Sequence, residues 1–307
     1  MNRSGGIAFG IAAVFAWAIY NVGVEIGHQQ GLSSADLTLL RYAGGMIVML
    51  PVMAFMRVSP FTDTTVFRTA VLVAVAGPPF AWIFNTGYTL APLSHAVVIS
   101  PGMTMLVASG LGRWFGGAPL SLHRKLGMSL LILGLIFIAS DQESKPHSGF
   151  GPWLGDLCFV VTGTLWGVFT WLMSHWKLDA VRTTGLIAIC STTVYLPIYW
   201  YLFELPPVAV TVWLEQFIYQ GALGGALAVV FFAIAISRLG STTAAVFPAL
   251  VPSTAVFCAI PMTGQSPNVL QFAGLATASL GLFVSLGIFN RQNSRLLRSL
   301  GHEKGSL

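Results

Sequence analysis

Ten stretches of this chain are apolar over lengths of about twenty residues: 6–27, 35–56, 67–90, 93–112, 124–140, 153–175, 182–203, 214–236, 241–262 and 269–289. A hydrocarbon core of ~30 Å takes about 20 residues of α-helix. The polar positions gather in short clusters between the stretches, so the pattern predicts an all-α membrane protein with ten transmembrane helices. The first stretch follows Arg3 and so has the flank of a signal peptide. It is long for one, and nine more stretches follow, so it reads as a first span.

Charge orients the spans. Arg3, Arg57, Arg68, Arg113, Arg124, Lys125, Lys177, Arg182, Arg238, Arg291, Arg295, Arg298 and Lys304 fall on one set of alternating loops, and only Lys145 falls on the other. The excess of basic residues on cytoplasmic loops places both termini in the cytoplasm of an inner-membrane, multi-pass protein. Composition agrees: charged residues are 8% of the chain, against about 25% in soluble domains. The net charge of +5 is spread along the loops, so no nucleic-acid partner is expected. Cys158, Cys190 and Cys258 all sit in apolar stretches, an odd set that gives no disulfide framework. There is no P-loop or HExxH motif, so neither ATP-driven transport nor a zincin protease is expected. No cofactor or metal site is read. An intramembrane enzyme would need a nucleophile–base or metal cluster at depth, and His95 and His175 lie far apart with no carboxylate nearby in sequence.

A phrase recurs. Residues 94–101 read SHAVVISP and residues 241–248 read STTAAVFP. At a constant offset of 147, Ser94, Pro101, Gly117, Gly127, Leu133, Gly134 and Leu135 fall on Ser241, Pro248, Gly264, Gly274, Leu280, Gly281 and Leu282. Earlier in each half the offset drifts, with Trp17 on Trp166 and Pro51 on Pro197. The chain therefore divides into a first repeat (1–140), a periplasmic linker (141–152), a second repeat (153–290) and a basic cytoplasmic tail (291–307). Five spans is an odd number, so the two copies enter the membrane from opposite sides. This 5+5 inverted repeat is the arrangement of many secondary transporters.

Ten spans in a five-plus-five inverted repeat resemble the drug/metabolite transporter superfamily, EamA type. The aromatic pairs Trp17-Ala18 and Trp166-Gly167, the Arg41-Tyr42 of the second span and the prolines of the fourth and ninth spans carry the same resemblance. It implies a carrier with a central cavity lined mainly by spans 1, 3, 4, 6, 8 and 9. Amino-acid exporters of the YddG kind are similar in layout, and export is implied by the resemblance alone.

The candidate substrate-binding residues come from both halves. Trp17, Tyr20 and Asn21 share one face of the first span, and Trp166, Phe169 and Thr170 repeat the spacing in the sixth. Either they form an aromatic box for a solute, or they pack helices together. Pro101 and Pro248, with the preceding Ser100 and Phe247, break the backbone bonding of the fourth and ninth spans. They free the carbonyls of Val97 and Ala244, and Pro78 and Pro79 interrupt the third span. Trp82, Asn85 and Tyr88 follow one another at spacings of three in the third span, and Asn85 needs a partner there. His95, near the outer end of the fourth span, is either solvated or a proton relay. Arg41 is the only basic residue inside a span and away from its cytoplasmic end. It pairs either with Glu25 or with the solute. Glu25, Asp156 and Glu215 all lie near outer ends, which leaves no carboxylate at mid-membrane. The reading is a carrier for small neutral or zwitterionic metabolites, amino acids among them, with the lipid bilayer as its other partner and proton coupling as a candidate. The rival classes are a drug or lipid translocator, an intramembrane enzyme and a non-transporting scaffold.

Overall fold

The computed structural model describes residues 3–62, 64–116, 120–140, 152–239, 244, 246–264 and 266–285. Ser241, Lys145, nearly all of the 141–152 linker and the 291–307 tail lie outside the described residues. Among the described residues the chain forms ten helical rods. They are α1 (Arg3–Gln29), α2 (Ser34–Met56), α3 (Val66–Leu90), α4 (Leu93–Gly116) and α5 (Leu122–Ala139) in the first half. The second half has α6 (Pro152–His175), α7 (Ala180–Leu202), α8 (Val210–Leu239), α9 (Val246–Thr263) and α10 (Val269–Ser285). Seven of them are long and apolar enough to cross a membrane, and two shorter apolar helices run Phe247–Thr263 and Val269–Ser285.

Polar residues in the loops start the helices. Ser33 and Asp36 form a reciprocal capping box on α2, and Thr65, Ser121 and Asp179 each accept a backbone N–H at the starts of α3, α5 and α7. Three rods are irregular inside. In α3 the ladder breaks at Gly77, just before Pro78 and Pro79. A Cβ on Gly77 would stand 2.2 Å from the Val73 carbonyl oxygen and 2.9 Å from Ser191 Oγ, so only glycine fits this approach. In α2 the turns over Leu40–Gly44 widen to π-helix, and so do those of α8 over Phe217–Leu227. Such turns cluster at functional sites.

The packing repeats with a two-fold rule. Helix α4 lies along α6 as α9 lies along α1, and α3 meets α6 as α8 meets α1. Adding five to each helix number turns one contact into the other. The pairs α2–α7 and α5–α10 map onto themselves. The α5–α10 crossing is a contact of glycine on backbone. A Cβ on Gly127 would stand 2.5 Å from the Gly281 carbonyl oxygen, and one on Gly281 2.7 Å from that of Gly127. Gly134 and Gly274 stand in the same relation, at 2.8 and 3.0 Å. Small residues allow this close approach, where dispersion rather than water exclusion holds helices together. The offset of 147 read in the sequence carries Gly127 to Gly274 and Gly134 to Gly281, so the crossing is its own image. The fold is the ten-helix inverted repeat.

Candidate functional site

A cavity of about 470 Å³ lies where the repeats meet. Its lining comes from α1, α2, α3, α4, α6, α7, α8 and α9, so α2 and α7 join the six helices that the resemblance implied. Trp17, Tyr20, Asn21, Ser100, Trp166, Phe169, Thr170 and Pro248 line it, together with Arg41. The two tryptophans reach across the repeat boundary. Trp17 of α1 meets Phe232 of α8 edge-on at 5.4 Å, and Trp166 of α6 lies 4.9 Å from Phe80 of α3. Phe169 continues the box, 4.8 Å from Trp166.

The polar groups are tethered to carbonyls of their own helices, and Thr104 also donates to the Gly163 carbonyl of α6 at 3.2 Å. Asn21 donates to the Trp17 carbonyl at 2.7 Å. Thr104, Thr170 and Thr184 donate to carbonyls four residues back. The lining is graded, from buried Tyr20, Asn21 and Ser100 to exposed Thr170, and continues to Met173 and Ala180 beside the α6–α7 turn that carries Lys177.

Arg41 does not sit against Glu25. Its guanidinium carbon lies 4.5 Å above the Tyr20 ring and 5.8 Å from that of Phe80. Gln29 donates to Glu25 at 3.3 Å. The wide turn that begins at Leu40 puts Arg41 on the cavity side, and Gly221 and Gly225 of α8 let α2 come close there. The next residue, Tyr42, donates to the Ala76 carbonyl at 2.8 Å. That carbonyl belongs to the last residue before the α3 break, so the interruption is repaired from the neighbouring helix.

The remaining candidates lie elsewhere. Trp82 is 47% exposed, faces Phe203 edge-on and borders a separate apolar groove between α3 and α7. The cavity face of α3 carries Ala76 and Phe80, and two residues further on the helix has turned about 200°. Tyr88 stands behind the lining and donates to Asn21 Oδ1 at 2.7 Å. Asn85 is fully buried and donates to Thr38 at 3.2 Å, while its carbonyl meets His28 Nε2 at 2.9 Å. His95 is neither solvated nor in the cavity. It is fully buried, with Nδ1 2.7 Å from Asp156 Oδ1. Pro101 is half-buried and outside the lining, and Phe247 packs its ring over Gly10. Sequence reasoning did not single out Phe80, Thr104, Thr184 or Phe232 as lining. Phe232 carries no signal beyond its apolarity, because many residues of α8 look alike.

The fold and its central cavity are those of a polytopic membrane carrier. The chain belongs to the EamA-like transporter family, whose description matches residues 4–140 and 153–287, one match in each half. Among solved structures 22 chains match. One, titled only "Crystal structure of protein", is 15% identical with a TM-score of 0.63, over 95% of this chain and 99% of its own. That likeness is one of fold. No curated protein matches significantly.

Proposed function

We propose that the protein is a secondary transporter that carries a small amphipathic metabolite, amino acids included, by alternating access. The observation that carries this is the pair of cross-repeat aromatic contacts, Trp17–Phe232 and Trp166–Phe80, in the wall of one cavity. A rocking of one repeat against the other changes both contacts together, so the site is remade as access switches. The lining runs out toward the α6–α7 turn, on the side the basic loops mark as cytoplasmic. At the other end, Tyr199–Asp36, Gln30–Glu215, Gln216–Gln30 and His95–Asp156 tie the helices together. This arrangement is the state open to the cytoplasm, the loading state of an exporter in the inner membrane. Counterflow of a labelled amino-acid panel in proteoliposomes, with and without a pH gradient, tests it. Counterflow lost in Trp166→Ala supports the reading, and none with any small solute sinks it.

A lipid translocator is the second reading. It is favoured by the apolar groove of about 1050 Å³ between α3 and α7, which Trp82 borders. Movement of a labelled phospholipid between leaflets, lost on filling that groove by Ala74→Phe, would support it.

A further inference from the structure

The cavity holds one formal charge. Arg41 is 9% exposed, and no other lining residue among those described is acidic or basic. A buried arginine ordinarily faces a carboxylate. Here the guanidinium faces two rings, which stabilise a cation but accept none of its N–H bonds in the plane. Its Nη1 is buried and has no hydrogen-bond partner among the described residues, and neither has the hydroxyl of Tyr20, whose ring lies under the guanidinium. The Tyr42 hydroxyl lies within hydrogen-bonding reach of the same guanidinium, but an N–H of a buried cation left without an acceptor is costly, and it persists where something else completes it.

The second repeat does not duplicate the charge. The stretch of α7 that matches Arg41 places Ile187 and Ala188 in the lining. The cavity is otherwise two-fold in its aromatic walls, so a single cation stands at one end of an apolar box.

We propose that Arg41 is the anion-recognising residue of this cavity and that the solute is a small organic monocarboxylate. Its carboxylate accepts from the guanidinium, and its apolar body lies among Trp17, Phe80, Trp166 and Phe169. The inference rests on the carrier reading of the same cavity and names its substrate class. A planar fork of N–H donors matches a carboxylate. One positive charge neutralises one negative charge, and a dianionic phosphate would leave the second uncompensated in an apolar site.

The test uses the full chain in detergent, with labelled 3-phenylpropionate as probe and 3-phenylpropionamide and phenyl phosphate as competitors. The amide has nearly the same shape and no charge. We expect it to compete roughly ten- to hundredfold less well than the unlabelled carboxylate, the range of a charge-assisted hydrogen bond. Phenyl phosphate should also be the weaker competitor. Arg41→Lys should keep a reduced preference for the carboxylate, and Arg41→Gln should make carboxylate and amide equal. The inference fails if wild-type protein binds amide and carboxylate alike, if it does not bind the carboxylate saturably, or if Arg41→Gln keeps the preference. The wild-type comparison stands even where a variant does not fold. Arg41-dependent binding without counterflow would sink the carrier reading alone. Counterflow of solutes without a carboxylate preference would sink the inference alone.

Discussion

His95 of α4 and Asp156 of α6 face each other at 2.7 Å, and both residues are buried. The pair joins the first repeat to the second at the end away from the cavity mouth. Removing one member breaks a buried hydrogen bond between the repeats, at a cost of about 1–3 kcal/mol. Asp156→Asn and His95→Ala should each lower the melting temperature of the purified protein markedly. Unchanged melting in both variants would show that the contact holds nothing.

Trp166 touches Phe80 and Phe169 inside the cavity wall. It is half-buried, so its loss removes wall rather than core. Trp166→Ala should reduce counterflow about tenfold or more while leaving membrane insertion and monodispersity intact. Equal loss of transport and of folded protein would make the ring a packing residue.

Gly134 faces the backbone of α10. A Cβ there would stand 2.6 Å from the Ala278 nitrogen and 2.8 Å from the Gly274 carbonyl oxygen. Neither can retreat as a flexible side chain would. Gly134→Val should destabilise the fold by about 1–3 kcal/mol, the range for overpacking, seen as reduced thermal stability in detergent. Gly110→Val is the control, since a Cβ at Gly110 meets nothing within 4 Å. If the two variants melt alike, the α5–α10 crossing is not tight.

The orientation rests on charge. Gln29, at the end of α1, and Lys125, in the first turn of α5, are both exposed and lie on opposite sides of the membrane in the proposed topology. In intact cells an impermeant maleimide should label Gln29→Cys and spare Lys125→Cys. The reverse pattern inverts the topology and with it the cytoplasmic opening.

The rods and their symmetry were legible in the sequence because span length and charge between spans are physical requirements of a bilayer. The glycine register across residues 94–140 was legible too, since close backbone approach leaves a residue no substitute. The site was legible only in part. Trp17, Tyr20 and Asn21 share a face by helical spacing, and they do line the cavity. Trp82 precedes Asn85 and Tyr88 at the same kind of spacing, yet three-residue steps drift 60° each, and it lies on the far flank of α3. His95 read as a residue near a loop, because nothing local shows that Asp156 arrives beside it from 61 positions away. Arg41 was visible as a charge in a span, but its neighbours were not. Those depend on a widened turn in α2 and on the glycines of α8, and neither leaves a periodic trace.

The glycine crossing of α5 and α10 has a consequence for how such a chain is put together. The surface that one half offers there is the same surface it requires from its neighbour, which makes the contact isologous, as in a two-fold dimer of identical subunits. Two separate copies of a five-helix protein would meet along this seam without any new complementarity. The fusion into one chain adds something else. It frees the two halves to diverge elsewhere, so that a single arginine stands on one side of the cavity and an alanine on the other.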